Sequence, residues 1–336
     1  MEHCGQVCID PGPEGDEWLQ MLVRVRSSLD GSEQPCYFWA PDRASQEAVP
    51  LVVGLHTWSG DYRNLVHYRT VLEYAKRNGW AFVGPNFRGP NSTPESCGSD
   101  LAVRDIVDAV GYAKGRVRID ASRVYIIGGS GGGHMTLLML GRHPEIFAAG
   151  AAFCPISDLA RWHGESLAEH PGRCHVYAEM LESVCGGSPQ SRPEEYRRRS
   201  PVAWLSRAKA SGVPTYIATG IHDGWRGSVP VGHAVRAFNE LVDGPDRIPK
   251  EEIAYMEANQ SVPKPLASAP HDPFYPDEIR IHLRRTCGNA QLTLFEGGHD
   301  CNFRAGFEFL SRQRKGHPAD WTLPVSGEGS VEALSR

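Results

Sequence analysis

One serine in this chain sits among glycines at a spacing that suits nucleophilic chemistry: Gly128-Gly129-Ser130-Gly131-Gly132 contains Gly-x-Ser-x-Gly. A serine hydroxyl attacks well only when an imidazole takes its proton and a carboxylate fixes that imidazole's tautomer. Downstream, Asp223 in Gly220-Ile221-His222-Asp223-Gly224 and His299 in Gly297-Gly298-His299-Asp300 supply both types, in the order serine, acid, histidine. Each follows a run with strand chemistry. Other histidines fit less well: His222 abuts the acid, His233 falls in an expected helix, and neither His271 nor His282 follows a clear strand. Asp272 and Asp277 stay open as alternative acids. Acyl transfer also needs N–H donors for the developing oxyanion. Gly131, directly after the serine, offers one, and the loop at Thr57-Trp58 offers the second. Glycine-rich turns also bind phosphates, but a dinucleotide fingerprint needs glycine at His134 or Thr136, and a phosphate loop needs lysine at His134. Both fail.

These residues require elements to hold them. Residues 124–127 (VYII) read as a strand, the glycines as a sharp turn, and Met135, Leu138 and Met139 as the apolar stripe of a helix that His143-Pro144 ends. In such an elbow the serine takes strained dihedrals and only glycine fits two residues to either side. Residues 49–56 (VPLVVGLH), 80–84, 147–153, 213–219 and 291–295 read as further strands, with helices over 62–78, 100–114, from about 228, and 303–314. Repeated strand–helix units predict one α/β domain over residues 1–336, with a mostly parallel central sheet and helices on both faces. Residues 18–26 and 36–40 predict an antiparallel hairpin at its edge. Residues 157–210 break the rhythm and predict a helical cap insertion, and 243–285, rich in proline, predicts a long loop insertion. Trp162, Trp204 and Trp225 are candidates for stacking on a sugar or aryl group.

Composition narrows the classes. The 336 residues are 40% hydrophobic and 22% charged, which permits a sizeable core, and the net charge of −5 gives no electrostatic case for nucleic acid. No run approaches the roughly 18 apolar residues of a membrane span. Residues 1–13 lack the apolar core of a signal peptide, which leaves cytoplasm and secretion after leader removal both open. Nine cysteines leave at least one thiol unpaired, and Cys4 and Cys8 have no second pair at finger spacing, so neither a metal nor another cofactor is expected. His56 and His134 read as hydrogen-bonded structural residues, and Arg197-Arg198-Arg199 as a solvated helix face. Oligomeric state stays open.

The Gly-Gly-Ser-Gly-Gly-Gly-His unit, the loop His56-Thr57-Trp58-Ser59-Gly60, Asp223 followed by Ser228-Val229-Pro230, and Gly297-Gly298-His299 together resemble the prolyl-oligopeptidase-like branch of the α/β-hydrolase superfamily, across about residues 50–314. Residues 26–35 (RSSLDGSEQP) are similar to the leader of its esterase relatives, some of them carbohydrate-active. The resemblance implies an α/β-hydrolase fold and a serine ester hydrolase acting on small-molecule or carbohydrate esters, acetyl or feruloyl among them. The family's peptidases carry a β-propeller before the hydrolase domain, where this sequence has residues 1–49, and its exopeptidases use an acidic amine-binding motif that is not found here. A peptidase is the alternative, and an inactive binding protein of the same fold a third reading. His56-Thr57 stands where relatives often have His-Gly, which leaves the second oxyanion donor open between Trp58 and Thr57.

Overall fold

Strand-forming and amphipathic runs alternate along the chain, and the computed structural model, which describes residues 15–323 except 173 and 269, follows that alternation. Residues 1–13 with Cys4 and Cys8, and the tail from 324 onward, lie outside the described residues. A short helix α1 (Gly15–Met21) leads into β1 (Leu22–Arg26) and β2 (Glu33–Trp39). Then come β3 (Val49–Leu55), α2 (Leu65–Asn78), β4 (Ala81–Pro85), α3 (Asp100–Arg116), β5 (Ile119–Gly129), α4 (Gly131–Arg142) and β6 (Ala149–Phe153). Four helices follow: α5 (Leu159–Leu167), α6 (His175–Cys185), α7 (Pro193–Arg199) and α8 (Leu205–Ser211). The chain closes with β7 (Thr215–Gly220), α9 (Gly232–Leu241), α10 (Lys250–Asn259), β8 (Ile281–Cys287), β9 (Ala290–Phe295) and α11 (Phe303–Arg312).

The strands form one sheet in the order β1-β2-β4-β3-β5-β6-β7-β9-β8. From β4 to β9 neighbours run parallel, while β1, β2 and β8 pair antiparallel at the two edges. Every residue of β3, β4, β6, β7 and β9 is buried, as in strands covered on both faces. Alternation sorts the side chains. Leu51, Val53 and Ile126 face a layer with Ile106 of α3, Leu138 of α4 and Val235 of α9, whereas Val52, Tyr125 and Ile127 face one with Tyr68 of α2 and Phe307 of α11. This is the α/β-hydrolase arrangement.

Two segments differ from expectation. The first residues of 18–26 belong to α1, and only Leu22–Arg26 is strand. The segment 243–285 is not a loop: it holds α10 and the start of β8, which pairs with β9 at the sheet edge. Its prolines punctuate these elements rather than prevent them. Residues 157–210 carry α5 to α8. Leu159, Trp162, Leu181 and Tyr196 of that segment pack with Trp58, Cys97 and Val229 from loops beyond the strands' carboxyl ends.

Candidate active site

Ser130 links β5 to α4 with φ 57° and ψ −119°, a conformation costly for any residue with a Cβ. Close packing enforces the glycines around it. A Cβ on Gly128 would lie 2.5 Å from the Gly132 backbone, and one on Gly132 would lie 2.8 Å from the carbonyl oxygens of Leu55 and His56. The Ser130 N–H donates to Phe153 O at 2.9 Å, which pins the elbow to β6.

The Thr57–Trp58 peptide lies against Gly131, where an added Cβ would be 2.4 Å from Trp58 N. That contact brings Trp58 N close to the Gly131 Cα, and the Gly131 N–H, at the start of α4, has no acceptor within the helix. Thr57 contributes the carbonyl side of the peptide; its oxygen already accepts from Gly60 N and faces His56 Nδ1. Of the two expected donors, Trp58 is the one whose nitrogen lies against Gly131. Asn91, which sequence reasoning missed, holds this loop: its N and Nδ2 donate to Trp58 O at 2.9 and 3.2 Å, and its Oδ1 accepts from Cys97 N.

Asp223 follows β7 and His299 follows β9, two adjacent parallel strands. Their loops are bonded to each other, with Ile221 N donating to Phe295 O and His222 N to Gly297 O. The buried Asp223 carboxylate accepts from Gly224 N, Val229 N and Thr219 Oγ1, and its Oδ2 lies 2.8 Å from His299 Nδ1. This leaves His299 Nε2 as the nitrogen available to a serine proton. Ser130 Oγ is not hydrogen-bonded to His299 in this structure; such contacts commonly tighten on substrate binding. Burial opposes charge on His299, but the Asp223 carboxylate outweighs it and holds the imidazole well above its ordinary 6.5.

Two thiols and a second imidazole lie close by. Cys154, immediately after β6, donates its thiol to Asp300 O at 3.1 Å. Burial raises that thiol well above its usual range, so it stays protonated. Behind Gly129 stand Cys301 and His67. Burial, then the positive field of His299, lowers His67 to about 4. Nothing in their local sequence marks these residues, because their proximity depends on how strands order in the sheet.

The three expected stacking tryptophans part ways. Trp162 is buried, donates from Nε1 to Ser228 O, and sets its ring edge against Trp58 at 4.7 Å, so it props the oxyanion loop. Trp204 packs on Gly141 at the far end of α4, about 16 Å from Ser130 at 1.5 Å per residue, between Arg142 and Arg207. It does not reach the site. Trp225, two residues past Asp223, is half-buried, donates to Glu257 O and meets the His170 ring edge-on at 4.1 Å. His56 and His134 are buried among backbone carbonyls, and burial lowers both imidazoles.

Arg199 corrects the reading of its triplet as a solvated face. It is 3% exposed and donates to the carbonyls of Pro94, Ser96 and Cys97, fastening residues 86–98 under α7. Arg197 and Arg198 pair with Glu194 and Glu195 nearer the surface.

A model of the prolyl oligopeptidase family matches residues 66–271, which include Ser130 and Asp223. Feruloyl esterase B of Neurospora crassa is 30% identical over 169 residues, 48% of this chain and 54% of that protein. The acylamino-acid-releasing enzyme of Arabidopsis thaliana is 28% identical over 183 residues, 52% of this chain and 23% of that protein. Among solved structures, the acylaminoacyl peptidase of Pyrococcus horikoshii superposes with a TM-score of 0.56 at 15% identity, covering 90% of this chain and 44% of that one. The chain thus spans about half the length of the feruloyl esterase and about a quarter of the acylamino-acid-releasing enzyme.

Proposed function

The chain belongs to the prolyl oligopeptidase family, and from that premise we propose that it is a serine hydrolase cleaving carboxylic esters through an acyl-enzyme. The observation that carries the reading is the 2.8 Å pair of Asp223 and His299 at the ends of β7 and β9, on the same carboxyl side of the sheet as the Ser130 elbow after β5. In this mechanism Ser130 Oγ attacks the ester carbonyl while His299 Nε2 takes its proton. The oxyanion accepts hydrogen bonds from the N–H groups of Gly131 and Trp58, a role supported by the close approach of Trp58 N to Gly131. His299 then returns the proton to the departing alcohol, and water, deprotonated by the same imidazole, releases the acid.

The ester reading is supported by the similarity to feruloyl esterase B of Neurospora crassa and of Thermothelomyces thermophilus. Amide cleavage is the second reading, supported by the similarity to acylamino-acid-releasing enzymes. Residues 157–210, whose helices pack over Trp58, act as the cap that shapes the acyl and alcohol subsites, with Trp225 as the stacking candidate nearest Asp223. Comparison of kcat/KM for feruloyl and acetyl sugar esters against acylated aminoacyl amides tests this. Ester turnover at least about 100-fold faster, abolished in Ser130→Ala, is expected, since a specificity of that size requires about 2.7 kcal/mol of differential transition-state binding. Equal or faster amide cleavage contradicts the ester reading.

A further inference from the structure

Next to the catalytic pair lies a thiol that ester cleavage does not use. Cys154 Sγ, a carboxylate oxygen of Asp223 and a ring nitrogen of His299 all lie within 4.8 Å of one another, and Cys154 and Asp223 are buried. The three come from the ends of β6, β7 and β9, which are consecutive in the sheet, so the cluster follows from the topology and not from a mobile side chain. Cys154 holds its place in a left-handed backbone, φ 44°, with its thiol on Asp300 O.

A buried free cysteine is ordinarily a small hydrophobe. Here its meeting with an imidazole and a carboxylate makes a donor set of the kind zinc takes: sulfur, nitrogen and oxygen from three protein groups, with a fourth position left over. Magnesium and calcium prefer oxygen alone. In a tetrahedral site with bonds of about 2.0 to 2.3 Å, neighbouring donors sit roughly 3.3 to 3.8 Å apart. The three donor atoms lie within 4.8 Å of one another, and the 2.8 Å hydrogen bond between Asp223 and His299 gives way as the cation enters.

We propose that Cys154, Asp223 and His299 form an inhibitory site for Zn2+ or a similarly soft divalent cation, with the fourth position left to solvent. Binding exchanges the Cys154 thiol proton for the cation and releases that proton to solvent. The cation occupies the imidazole that would otherwise receive the Ser130 proton, so turnover stops while Ser130 is untouched. The inhibitory consequence rests on the ester-hydrolase reading; the site itself does not.

The test is a Co2+ titration of the full chain, followed by Zn2+ inhibition. Wild type and Ser130→Ala should each take up a single Co2+ with thiolate-to-cobalt charge-transfer absorption, which Zn2+ displaces and Cys154→Ser lacks. Zn2+ should inhibit wild-type ester turnover, and the half-inhibiting concentration, taken against each variant's own rate, should rise at least about 10-fold in Cys154→Ser, the cost of losing even an outer-shell partner. Absence of the charge-transfer band in folded wild type, or a band or inhibition unchanged in Cys154→Ser, overturns the proposal. If Cys154→Ser does not fold, alkylation of wild-type Cys154 mapped by mass spectrometry decides: protection by Zn2+ supports the site, and its absence overturns it. A Cys154-dependent band in a protein without ester turnover keeps the site and removes the ester reading.

Discussion

Ser130 is half-buried in a strained backbone, and its chemistry depends on the pair 2.8 Å apart in the neighbouring loops. Ser130→Ala should cut kcat by about 10^4 to 10^6, leaving only binding and the oxyanion donors. The denaturation midpoint should change little, since no core volume is lost. The pH dependence has a definite sign. His299 must be neutral to accept a proton, and Asp223 holds it above 6.5, so the acidic limb of kcat/KM should lie above pH 6.5. In Asp223→Asn the raising influence goes and burial, which lowers, remains, so the limb should move down while kcat falls about 10^4. A wild-type limb at or below 6.5, or a limb unmoved in Asp223→Asn, contradicts this assignment. Asp223 and His299 are legible in the sequence because each stands just past a strand-forming run, which is where a parallel sheet exposes side chains. Cys154 and Asn91 are not, since their meaning lies in contacts between segments far apart in the chain.

At the scale of elements, the elbow and the loop over residues 86–98 carry the site. Gly132 meets the carbonyl oxygens of Leu55 and His56, so Gly132→Ala must push β3 from α4; a stability loss of about 2 kcal/mol or more is expected from urea unfolding. An unchanged midpoint would mean that the elbow is not packed as described. Arg199→Ala leaves the carbonyls of Pro94, Ser96 and Cys97 without their donor, and burial of unmet polar groups should cost about 2 to 4 kcal/mol. Limited proteolysis should then cut within residues 86–98, and an uncut, fully stable variant contradicts that role. The strand–glycine–helix unit was plain in the sequence because its turn chemistry is local. Arg199 was not, because three arginines in a row look alike until the helix shows which one turns inward.

For the whole molecule, the central sheet was readable from its apolar runs, each of which is covered on both faces. The stretch 243–285 reads as a loop because its prolines mask the helix-forming run 250–259 between them and the strand 281–287 that follows. β9 returns beside β7 with β8 outside it, which brings Asp223 and His299 together across 76 residues without any need for a looped-out segment. The cap helices place Trp162 under Trp58 and leave Trp204 at the far end of α4, a division that tryptophan content alone does not reveal. All of this converges on one nucleophile. Treatment of the folded protein with a fluorophosphonate, followed by peptide mapping, should give a single adduct on Ser130, absent in Ser130→Ala and strongly slowed in His299→Ala. An unmodified Ser130 in folded wild type, or an adduct on another serine with turnover lost, contradicts the assignment.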